Sequence, residues 1–132
     1  MMNQDAKMPR MDCAIDATMS VIEGKWKTVV LCKLVMKKKL RFNQLIKEID
    51  GVSPRILSKQ LKELERDGVI SRTSFPEIPP RVEYQLTEKG ESLIPLLKIM
   101  GDWGLRNMFS NRVKFEDIYI NLIESSQESS SS

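Results

Sequence analysis

The chain has 132 residues, 41% of them hydrophobic and 30% charged, with a formal net charge of +3, which gives room for one ordinary domain with extra segments at its ends and none for a separate catalytic domain. No apolar run approaches the roughly 20 residues of a membrane span, and the opening stretch MMNQDAKMPRMDC lacks the apolar core of a signal peptide, so the expected location is the cytoplasm. Histidine is absent, which removes the commonest general base and transition-metal ligand, and the two cysteines form neither a disulfide framework nor a metal-site spacing, so neither metal nor cofactor is expected.

In chain order, residues 1–12 read as a flexible polar arm. Ile15, Met19 and Ile22 predict a short helix stopping at Gly24, and Trp26, Val29, Val30 and Leu34 a longer one over about 25–36. The run Lys37, Lys38, Lys39 ends it, where positive charge suits the negative end of the helix dipole. Leu40 to Phe42 form a short extended link, and Asn43 is a candidate N-cap for a brief helix carrying Leu45, Ile46 and Ile49. The clearest local signal follows: Ser53 as N-cap, Pro54 at the first helical position, Ile56, Leu57, Leu61 and Leu64 at helical spacing, then Asp67 and Gly68 as a stop.

After Gly68 the period changes to alternation. Residues 69–75 and 81–86 predict two strands joined by Pro76, Glu77, Ile78, Pro79 and Pro80, with Val82, Tyr84 and Leu86 on one face. Thr87 caps a helix whose stripe of Leu93, Leu96, Leu97, Met100 and Trp103 runs to about Phe109, bent at Pro95. A last amphipathic segment over 110–124 precedes a low-complexity serine tail at 125–132. The expected fold is therefore mainly α with a small β-hairpin: a winged helix-turn-helix domain over 13–109.

A helix that enters the major groove needs one apolar face to dock on its own domain and another lined with donors. The segment 54–66 meets both needs, with Leu57, Leu61 and Leu64 inward and Arg55, Ser58, Lys59 and Lys62 outward. Base readout falls to Arg55, Ser58 and Lys59, phosphate contact to Lys62, and Ser53 lies at the helix start. Arg72 and Arg81 flank the wing loop, within reach of a phosphate or minor groove, and Arg41 and Asn43 stand beside the first helix of the motif. Charge agrees in sign: residues 1–86 hold 16 Lys/Arg against 11 Asp/Glu, a net of +5, and residues 87–132 hold 5 against 7, a net of −2. Each cation also has a plainer reading as a solvated surface charge, and Asn43 as a simple cap. The order helix, turn, capped helix, hairpin favours DNA.

Five segments in succession carry a family likeness: Glu23–Lys27 (EGKWK), Arg41–Leu45 (RFNQL), Gly51–Glu65 (GVSPRILSKQLKELE), Asp67–Ile70 (DGVI) and Tyr84–Gly90 (YQLTEKG), with Trp103 following. Together they resemble the HxlR-type regulators, winged-helix relatives of the MarR group. The resemblance implies a homodimer acting on a pseudo-palindromic operator in double-stranded DNA. Apolar residues beyond the needs of one winged helix support a dimer: Met19, Ile22, Leu97, Met100, Trp103, Phe109, Tyr119 and Leu122. Some of them could instead close the monomer core. The resemblance also implies a possible oxidant or electrophile sensor at Cys13, although Asp12 and Asp16 disfavour a thiolate and Ala14 replaces the proline usual in the family. Cys32 reads as a small core residue.

The alternative of a different class is a winged helix turned to protein partners without sequence-specific DNA binding. A thiol enzyme built on Cys13 has only a lone thiol to work with, and RNA binding lacks an aromatic platform on a strand. The sequence names no small-molecule effector.

Overall fold

The computed structural model describes residues 10–109. Nine elements follow one another: α1 (Met11–Ile22), α2 (Lys27–Lys37), β1 (Lys39–Arg41), α3 (Phe42–Glu48), α4 (Pro54–Arg66), β2 (Ile70–Phe75), β3 (Arg81–Leu86), α5 (Glu88–Glu91) and α6 (Ile94–Met108). The strands form a three-stranded antiparallel sheet ordered β1-β3-β2. Among the described residues no helix is long and apolar enough to cross a membrane. The segment expected to be helical over 110–124, the serine tail and most of the N-terminal arm lie outside the described residues.

The core is what the two periodicities dictate. In α2 the buried positions Val30, Leu31, Leu34 and Val35 form one helical stripe, and in α4 Leu57, Leu61 and Leu64 form another, all at most 4% exposed. They meet Leu45 and Ile49, and Ile70 and Tyr84 from the sheet. Each such leucine contributes about 1.5–3 kcal/mol relative to exposure, so the α2–α4 seam fixes the orientation of α4.

Four sequence expectations change. The link at Leu40 is a true strand: Leu40 is buried and pairs with Tyr84. Three residues are too few to display alternation, so the sequence alone could not separate it from a loop. Asn43 is not the cap of α3, because Arg41 is held extended by β1 up to the helix start; Gln44 Oε1 accepts the Arg41 N–H at 2.8 Å. The helix expected from Glu88 to Phe109 is two helices. Pro95, having no N–H to donate, sits in the first turn of α6 instead of bending a longer helix. Finally α1 starts at Met11, within the stretch expected as an arm, with Asp12 in its first turn where the helix dipole favours an acid.

Candidate nucleic-acid interface

The reading helix is placed by its ends and by its buried face. Ser53 Oγ accepts the Ile56 N–H at 3.2 Å, Pro54 opens the helix, and Gly68 at φ +79° supplies the left-handed turn after Asp67. With the leucines inward, Arg55, Lys59 and Lys62 are exposed and Ser58 half-buried. They share an open recess of about 470 Å³ with Glu63 and Arg66. Four cations face one carboxylate there, a net of +3. Arg55, Lys59 and Lys62 form no ion pair with a described residue.

The carboxylate of Glu63 is engaged elsewhere. Lys27, only 5% exposed, places its Nζ 2.9 Å from Glu63 Oε1 and ties α2 to α4. The hydrogen bond from Lys27 is the main cause that holds the Glu63 carboxyl below its ordinary range, opposed by desolvation and helped by the charges of Lys27, Lys59 and Arg66. Lys27 was missed in the sequence, yet the signal was available: it stands three and four residues before Val30 and Leu31, on the apolar stripe itself.

The exit of α4 is clamped by the segment Thr87–Gly90. Thr87 Oγ1 donates to the Gly68 carbonyl at 2.6 Å, its N–H to Val69 O at 3.1 Å, and Lys89 Nζ to Asp67 O at 2.7 Å. Thr87 Oγ1 also accepts the Gly90 N–H at 3.0 Å, capping α5. A side chain at Gly90 would meet the Val69 carbonyl oxygen at 2.0 Å, so only glycine lets α5 sit against the start of the hairpin. The end of the reading helix and the start of the wing are thereby tied to the same segment.

The remaining predicted contacts divide. Arg41 and Asn43 are exposed and, with Gln44 and Lys47, line a second recess of about 570 Å³ against the wing loop. Arg72 is exposed on β2, its Nη1 donating to Ser74 Oγ at 3.3 Å. Arg81 sits in a network of its own. Its Nη2 is 3.0 Å from Glu77 Oε2, its Nε 3.7 Å from Glu83 Oε2, and its guanidinium lies 4.0 Å from the centre of the Phe75 ring. Ser53 is occupied as a cap.

Of the expected interface residues, Ile22 and Leu97 are 2% and 7% exposed and belong to the core of the chain, because α1 and α6 each use them to seal the helical layer. Met19, Met100, Trp103 and Phe109 are 37–61% exposed, and Met11, Ile15, Ile99 and Met108 are exposed apolar residues on the same two helices. Tyr119 and Leu122 lie outside the described residues. Cys13 is exposed on α1, while burial pushes the Cys32 thiol up against the opposing charge of Lys33. No cluster of three or more metal-ligating side chains occurs among the described residues.

Residues 21–112 match the family of HxlR-like helix-turn-helix proteins. The chain belongs to that family. It is 47% identical over 92 residues to an HTH-type transcriptional regulator of Methanothermobacter thermautotrophicus, covering 70% of each chain. Among solved structures, a MarR-family transcriptional regulator from Enterococcus faecalis V583 is 37% identical with a TM-score of 0.68, over 76% of this chain and 91% of that one. The redox regulator HypR in its reduced form is 38% identical with a TM-score of 0.66, over 79% and 98%. In this HxlR-like chain, the segment that matches the family includes α4, the wing and the clamp at Thr87–Gly90.

Proposed function

We propose that this HxlR-like chain is a cytoplasmic, sequence-specific DNA-binding transcription regulator that acts as a homodimer on a pseudo-palindromic operator. The observation that carries the reading is α4: a capped helix docked through three buried leucines, with Arg55, Lys59 and Lys62 aligned on the opposite face and in no ion pair with a described residue. Arg55 and Lys59 are one turn apart, spaced to donate to base acceptors in one major groove, and Lys62 continues the line toward the phosphates. Arg41, Asn43 and Arg72 supply backbone contacts around them. The relatives' printed descriptions as transcriptional regulators support the same reading.

The dimer reading rests on exposed apolar side chains along α1 and α6, a surface that a second copy would cover. Regulation through Cys13 is the further proposal that its exposure and the likeness to a redox regulator support. Neither catalysis nor a cofactor enters the reading.

The test is a titration against DNA selected from a random pool and against unrelated DNA, at several salt concentrations. Specific binding should exceed non-specific binding by about 1,000-fold or more, with affinity falling steeply as salt rises. Equal affinity for both DNAs would overturn the reading and favour a protein-docking module.

A further inference from the structure

We propose that the wing enters the minor groove with an apolar tip, Ile78 between prolines, and that Arg81 is a positioning residue that holds this tip instead of contacting phosphate. This rests on the DNA-binding reading above and specifies how one part of that face works.

Arg81 is spoken for on three sides. Glu77 reaches back to it across the loop at 3.0 Å, Glu83 approaches on its own strand at 3.7 Å, and Phe75, its register partner on β2, stacks at 4.0 Å. Its side chain is 27% exposed and its Nε is buried without a hydrogen-bond partner. To reach a phosphate this guanidinium would have to give up its pairing with Glu77 and with the more enclosed Glu83. On β1, Arg41 stands directly opposite Glu83. Over residues 70–86 the wing holds Arg72 and Arg81 against Glu77 and Glu83, a net of zero, so net charge alone does not draw the wing to DNA.

What the wing offers is shape. Ile78 is 101% exposed, and the chain gains nothing by burying it. Pro76, Pro79 and Pro80 restrict the loop, so ordering the tip costs little on binding. Facing the tip across the 570 Å³ recess, Arg41, Asn43, Gln44 and Lys47 form a wall of cations and amide donors. A phosphate strand lying along that wall brings the groove beside it under the tip, where sugar and base edges can cover an isoleucine. Apolar wedges of this kind bind the minor groove in other proteins.

The experiment measures specific binding of the full chain to a pool-selected DNA fragment across a salt series, with hydroxyl-radical footprints, for wild type, Ile78→Ala, Arg81→Lys and Arg81→Gln. Ile78→Ala should weaken binding about fivefold, leave the salt slope unchanged and remove minor-groove protection at the wing. Its side chain is fully solvated, so folding is not at stake. Arg81→Lys should lose the same protection although it keeps the charge, because an ammonium cannot pair two carboxylates and stack on Phe75 together. Two results would overturn the proposal. One is Ile78→Ala with wild-type affinity and footprint. The other is Arg81→Gln lowering the salt slope by about one while Arg81→Lys restores it, which would make Arg81 a phosphate contact. Wild type that selects no sequence would instead bring down the DNA reading itself.

Discussion

Glu63 stands in the middle of the basic face, but its nearest partner is a buried lysine of α2, so it offsets the outward cations only in part. This pairing is a stability statement as well as an electrostatic one. The folded carboxyl titrates below its ordinary value, so the Lys27–Glu63 link stabilises the fold above the unfolded pKa, about 4.5, and its contribution is lost as pH falls through the lower folded value. Urea midpoints measured downward from pH 5 should therefore show an acid-dependent loss in wild type that is smaller in Glu63→Gln. Parallel profiles would mean that the link contributes no pH dependence. Exposed and free, Cys13 should react with a thiol reagent in the folded protein, whereas half-buried Cys32, its thiol pushed up by burial, should react more slowly. If Cys13 senses oxidants, oxidation should change DNA affinity in wild type and not in Cys13→Ser.

At the level of elements, legibility followed the strength of local chemistry. The reading helix was readable end to end, since Ser53, Pro54, three leucines and Asp67-Gly68 each act within a turn or two of their own position. The hairpin was readable from its alternation. Elements defined by distant partners were not: β1 exists because Tyr84 pairs with Leu40, and the restart at α6 depends on α5 being fixed against β3. The site was legible in the same degree. Outward cations on α4 follow from its apolar stripe, but the pairing of Arg81 with Glu77, Glu83 and Phe75 needs the strand register and the loop's return. The clamp at Thr87–Gly90 yields a prediction of its own. Gly90→Ala forces a methyl group onto the Val69 carbonyl and must shift α5 from the hairpin, at a cost of about 3 kcal/mol or more in urea unfolding. A loss below 1 kcal/mol would mean that the two elements separate easily.

For the molecule as a whole, one side carries cations and another carries apolar surface. Trp103, 61% exposed, lies amid Ile99 and Met100 on α6. In the proposed dimer, Trp103→Glu should shift the sedimentation equilibrium toward monomer and weaken operator binding, since the proposed two-fold operator would reward two linked reading helices. An unchanged dimer would move the interface elsewhere on the surface. The claim on which the rest depends is that α4 reads bases. Its most direct test is the double variant Arg55→Ala, Lys59→Ala, titrated beside wild type against the selected DNA and unrelated DNA at matched salt. The variant should lose about 2–6 kcal/mol of discrimination between the two, with folding intact because both side chains are exposed. A variant that discriminates as well as wild type would contradict that claim.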